Sequence, residues 1–170
     1  MFNNEAGGKF FVCNSAAQAL SLTGTTTYTG LVLYNKVGSQ FNLVLKQAIF
    51  SPTIAETGVG AVALFSQDIA TTLPSLTATN VANGALKQLL DGKQSDIALP
   101  ASSCTLAANP KLIRPIMGIP WVTATAQAAW NASDNIDGQI VIPPGAGVGI
   151  VAVTTAITGI GYFSWSEVAI

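Results

Sequence analysis

A chain of 170 residues suits one domain and is long enough to bury a sizeable core. Hydrophobic residues make up 49% and charged residues only 9%, seven basic against eight acidic, with no histidine and a mean hydropathy of +0.48. An ordinary soluble domain carries about a quarter charged residues, so this composition points to a surface largely covered by other subunits.

Other classes are set aside on the same grounds. The balanced charge lacks the clustered positive face that nucleic acid requires. No apolar run reaches the roughly 18 residues of a spanning helix; the longest, Ala146 to Ile160, is broken by Gly147, Gly149, Thr154, Thr155, Thr158 and Gly159. No basic segment followed by an apolar stretch opens the chain, so no secretory signal is expected.

In chain order, residues 1–13 read as a polar, small-residue arm, with a short strand over Lys9–Cys13, and residues 14–170 as a single domain. The threonine-rich Ser21–Thr29 leads into Leu31–Asn35. The turn Asn35-Lys36-Val37-Gly38-Ser39 and the run Phe41–Phe50 then predict a hairpin. Pro52 closes that run, and Val59–Phe65 is the next strand. From Asp68 to Asn109 the chain is rich in Ala, Thr, Ser and Asn, and Ala82–Asp91 fits either a short helix or a continued excursion.

Strand signals resume at Lys111–Gly118, Gln127–Trp130, Gln139–Ile142, Val148–Thr154 and Tyr162–Val168. Pro143-Pro144-Gly145 makes a corner between two of them, because proline cannot donate to a ladder and glycine permits the bend. About 8–10 short strands with intervening turns predict an all-β, antiparallel jelly-roll sandwich. Leu31-Val32-Leu33-Tyr34 and Ile140-Val141-Ile142 are apolar on both faces, and the second face is expected to be covered by a neighbouring subunit.

The chemistry is sparse. Without histidine there is no Ser-His-Asp or Cys-His nucleophile and no histidine-bearing zinc site. The eight acids show no pairing suited to glycoside hydrolysis, so no enzyme activity is expected. Asp134-Asn135-Ile136-Asp137-Gly138 could supply oxygen ligands to calcium, but Asp-Gly before Gln139-Ile140-Val141 reads better as a hairpin turn. Gly145-Ala146-Gly147-Val148-Gly149 lacks dinucleotide spacing and leads into a strand. Cys13 and Cys104 are expected as buried free thiols. Trp121, Trp130 and Trp165 read as core or subunit anchors ahead of sugar-stacking platforms, and Arg114 as a buried or interfacial ion-pair partner. No cofactor or metal is expected.

The segment Gly30-Leu31-Val32-Leu33-Tyr34-Asn35-x-x-Gly38-Ser39 with Asn42-Leu43-Val44-Leu45 resembles small structural proteins of tailed bacteriophages. So do Ala16–Leu22, the ending Asp137-Gly138-x-Ile140-x-x-Pro143-Pro144-Gly145-x-x-Val148-Gly149-Ile150, and the terminal Phe163-Ser164-Trp165-Ser166-Glu167. The resemblance covers residues 14–50 and 137–168. It implies a jelly roll that trimerises in the manner of tumour-necrosis-factor-like folds. Its implied role is a capsid decoration or cement subunit, made in the host cytoplasm and carried on the virion surface, with its own copies and the major capsid protein as partners. Subunit or capsid contacts are expected from Phe10, Phe11, Leu31, Leu33, Arg114, Trp121 and Trp165. The alternative is a receptor- or carbohydrate-binding module of a tail or fibre, for which a shaft or coiled-coil leader would be the mark.

Overall fold

The β-branched and aromatic runs fold into strands, and the strands pair antiparallel throughout. The computed structural model describes residues 10–23, 27–54, 60–67, 76–77, 86–87, 95–106, 110–119, 131–153 and 157–170. These form twelve strands: β1 (Phe10–Asn14), β2 (Gln18–Thr23), β3 (Thr27–Asn35), β4 (Phe41–Pro52), β5 (Gly60–Gln67), β6 (Leu76–Thr77), β7 (Leu86–Lys87), β8 (Ala98–Thr105), β9 (Lys111–Ile119), β10 (Ala132–Ile142), β11 (Gly147–Val153) and β12 (Ile157–Ala169). The expected all-β antiparallel sandwich is therefore present, close to a barrel.

Two sheets face each other. One runs β10–β4–β12–β1–β7, the other β6–β8–β3–β11–β5–β9. β2 joins them, since Gln18–Leu20 pair with β12 and Ser21–Thr23 with β3. The space between holds Leu43, Leu45, Phe50, Phe163 and Trp165 from the first sheet against Leu31, Leu33, Val62, Leu64, Val148 and Ile150 from the second. Phe11 stacks on Trp165 with ring centroids 5.9 Å apart.

The outward face of the second sheet carries its own apolar cluster, including Tyr28, Val32, Tyr34, Phe65 and Ala101. Leu31, Val32, Leu33 and Tyr34 are all 0% exposed in the single chain. This corrects the expectation that a neighbouring subunit covers the second face of this strand: the chain covers both faces itself. At Ile140-Val141-Ile142 the outcome differs, because Val141 remains 50% exposed.

Within β3 the register shifts between Thr29 and Val32, where Gly30 has φ +141°. A Cβ at Gly30 would lie 2.2 Å from Tyr28 Oη, so glycine is required both by the dihedral and by the ring beside it. The Tyr28 hydroxyl is shared between the carbonyls of Leu31 and Ile150, which ties the bulge to β11.

The expected hairpin between Leu31–Asn35 and Phe41–Phe50 does not form. β3 and β4 lie in opposite sheets, and residues 36–40 arch from one to the other. The apolar face of β4 meets the inward Leu31 and Leu33 of β3 across the core instead of lying beside them. Residues 143–146 make a second arch alongside, carrying the chain from β10 to β11. There Ala146 N donates to Pro143 O (3.1 Å) and Gly145 has φ +83°, the dihedral that position i+2 of a type II turn demands.

Asn35, 0% exposed, pins the two arches together. Its backbone N–H donates to Ala146 O, and its carbonyl accepts from Gly145 N, both at 2.9 Å. Its Nδ2 donates to Phe41 O (2.8 Å) and Ile142 O (2.9 Å). Ser39 Oγ lies 2.8 Å from Asn35 Oδ1 and 2.9 Å from Phe41 O, so its proton completes the set.

Other expectations were altered as well. Asp137 and Gly138 have φ +48° and +83°, the pair of positive values that a type I′ turn requires, but they join no two strands. Residues 136–139 instead form a bulge inside β10, all opposite Lys46 of β4. Of the 82–91 stretch, only Leu86–Lys87 lies among the described residues, and it is strand; no helix occurs among them. The expected strand over 127–130 lies outside the described residues. β8, within the 68–109 excursion, was not expected.

Candidate interaction face and the seam beside it

In an antiparallel sheet, residues paired across strands point to the same face, so register identifies the outer face of the first sheet. One row is Val141–Val44–Ser166–Phe10, the next Asn135–Gln47–Ser164–Val12, the third Ser133–Ile49–Tyr162–Asn14. Ile160 opposite Ser51 and Val168 opposite Asn42 extend the same face. None of these positions holds Asp, Glu, Lys or Arg. Phe10, Val12, Val44, Ile49 and Tyr162 are half-buried, while Val141, Val168 and Ile160 are exposed. Half-buried Lys46, between the first two rows and opposite the 136–139 bulge, is the charge that interrupts them; a face so poor in charge and so largely apolar is unlike an ordinary solvated sheet surface, which alternates apolar inside with charged or polar outside.

The expected contact residues separate into groups. Phe10 lies on this outer face. Phe11, Leu31, Leu33 and Trp165 point into the core of the single chain, at 4% exposure or less, so any contact with a neighbour falls to the outward residues beside them. Trp121 lies outside the described residues, as does Trp130.

Arg114 stands at the remaining open edge. β9 and β10 end the sheet path, and no backbone ladder joins them among the described residues. Arg114 reaches across: one terminal nitrogen donates to Asp134 Oδ1 (3.0 Å), the other to Gln139 Oε1 (3.1 Å). Nε sits 2.9 Å from Asp134 Oδ2, a close ionic contact rather than a well-directed hydrogen bond. Asp134 precedes the 136–139 bulge and Gln139 is its last residue, so one guanidinium spans the bulge from end to end.

Beneath this seam is a half-open cavity of about 210 Å³, lined by Ser66, Ile113, Ile140, Ile142, Ala146 and Val148 among others. Leu112 and Ile113 on β9 and Val141 on β10 leave apolar surface exposed around it.

No catalytic arrangement is evident in these features. Cys13 and Cys104 are free and buried in separate clusters; burial pushes the Cys104 thiol up to about 12 and Cys13 higher still. Both are therefore protonated and unreactive near neutral pH. Among the described residues, no three or more of His, Cys, Asp and Glu gather as metal ligands would.

Sequence reading missed Asn35 as the pin of the arches, and Asp134 and Gln139 as partners of Arg114. Asn35 carried a usable signal, an amide directly after an apolar run and ahead of Gly38-Ser39. For Asp134 and Gln139 no local signal exists, since their partner is 20 and 25 residues away on another strand. Comparison of the chain with family models, curated proteins and solved structures gives no match.

Proposed function

We propose that this chain is a virion structural protein, a capsid decoration or cement subunit that trimerises and stabilises a phage shell by bridging its capsomers. The observation that carries this reading is the charge-poor, largely apolar outer face of the β10–β4–β12–β1 sheet. A face that exposes Val44, Ile49, Val141 and Ile160 with no charge in its registers gains by burial, at roughly 25 cal/mol for each Å² of apolar area removed from water. The 9% charge content fits the same account, because a subunit enclosed by copies and by a shell needs few solubilising groups. Such a subunit binds the assembled shell and not its dissociated parts, and so stabilises the assembly by mass action. Three copies on one rigid body add avidity to each weak contact.

The test is the absolute mass of the purified protein by light scattering, followed by co-sedimentation with assembled phage heads. A mass of three chains is expected, falling to one chain in Ile49→Lys while the circular dichroism stays unchanged. A native protein that runs as a stable monomer and does not sediment with heads would overturn the reading.

A further inference from the structure

The geometry points to a latch at the β9–β10 seam: Arg114 ties together two strand edges that no backbone ladder joins among the described residues, and its release opens the apolar mouth behind them. Three independent features converge on this place. First, the seam has no backbone ladder among the described residues and is crossed by the guanidinium of Arg114, which reaches both Asp134 and Gln139.

Second, the ladder on the other side of β9 is irregular, although Ile116 and Met117 further along the strand pack on the core. Among the described residues β9 pairs only with β5, and that register shifts twice, between Val62 and Ala63 and between Leu64 and Phe65. Pro115 sits in the middle of the strand and cannot donate to a ladder. β10 is likewise interrupted by its 136–139 bulge, directly beside the clasp.

Third, the space behind the seam is already partly open. The cavity of about 210 Å³ reaches Ala146 and Val148, which are 7% and 1% exposed, and so adjoins the core between the sheets. Outward movement of β9 would widen it and bring these side chains to solvent. A strand edge with an irregular ladder on one side and a screened ion pair on the other can open locally while the rest of the fold stays closed.

The partners of the clasp are Asp134, nine-tenths buried, and Arg114, about one-third exposed. Salt reaches such a pair only in part, yet enough to weaken it. The latch should therefore loosen as ionic strength rises.

The test reads entry of a small reagent at the cavity wall. In the 170-residue chain, the native thiols are buried and serve as a silent background. A thiol is introduced by Ala146→Cys at the mouth, and a second, separate variant carries Ala101→Cys, fully buried on β8 in the other apolar cluster and remote from the seam. Alkylation by a maleimide is followed with and without Arg114→Ala, and at low and high salt. Labelling of the Ala146→Cys protein should quicken by about tenfold or more in Arg114→Ala, and to a lesser degree in high salt, with no change at Ala101→Cys. Arg114→Lys, which keeps the charge but loses the fork, should fall between. Unchanged labelling at position 146 would overturn the latch, and so would equal acceleration at both positions, which would mean general loosening.

Discussion

Two structures close the same end of this sandwich, and they do so in opposite ways. At the paired arches, the chain crosses between sheets twice, and Asn35 joins both crossings through backbone and side chain with five hydrogen-bond contacts of 2.8–2.9 Å. Asn35 itself is fully buried, and its partners are buried (Ile142, Gly145, Ala146) or half-buried (Ser39, Phe41), so water competes weakly. At the β9–β10 seam, a single half-exposed side chain spans the gap over an apolar cavity. Pro143, Ala146 and Ile142 belong to the arch on one side and line the cavity on the other, so the two closures are direct neighbours. The difference shows that the number of hydrogen bonds matters less than where they sit. A bond shielded from water can anchor a crossing, whereas one shared with water can only bias an opening.

The largest effect should come from the buried amide. Asn35→Ala strips the donors from Phe41 O and Ile142 O and the acceptor from Ser39. Leaving such groups buried costs about 1–3 kcal/mol each, so a loss on the order of 3 kcal/mol is expected in denaturant unfolding. A loss below about 1 kcal/mol would erase the contrast between the two closures.

The next effect tests whether the core behind both closures is sealed. The Cys13 and Cys104 thiols ionise near 9 when free of the fold, and burial raises both in the folded state, Cys104 to about 12. Below pH about 9 both states hold the proton, and the thiols contribute no pH dependence. Above it the unfolded chain releases protons that the folded chain retains, so stability falls as pH rises from about 9 towards 12. Denaturation midpoints across that range should decline steadily. A flat profile would mean that the thiols titrate in the folded protein, and hence that solvent already reaches the core.

The smallest global effect belongs to the seam. Arg114→Ala should lower the unfolding free energy by less than about 1 kcal/mol, because a partly exposed ion pair stabilises weakly. The same substitution should markedly change local access, and that disparity distinguishes a latch from a structural tie.

Much of the strand content was legible. Runs such as Leu31–Asn35, Phe41–Phe50, Val148–Thr154 and Tyr162–Val168 carry enough β-branched and aromatic residues to declare themselves locally. β8 did not, because Pro100, Ser102 and Ser103 interrupt any apolar alternation. Its strand conformation comes from pairing with the long edge of β3, from Thr27 to Asn35. The outer face of the first sheet was also invisible as a surface. Val44, Ile49 and Tyr162 stand in separate segments, and only register places them in adjoining rows.

The turn chemistry shows the division most clearly. Asp137-Gly138 adopts the two positive φ values that its composition favours, and Pro143-Pro144-Gly145 makes the corner that proline and glycine dictate. These outcomes are local, set by sterics within a few bonds, and the amino-acid sequence by itself determined them, together with the strand-rich, charge-poor character of the chain. Whether a turn links neighbours in one sheet, arches between two sheets or bulges within one strand was decided only by the tertiary structure. So were the covering of Tyr34 and Val32 by the chain's own residues and the meeting of Arg114 with Asp134 and Gln139. Each depends on which apolar faces find one another across the core, a contest among distant segments whose free energy no local stretch contains.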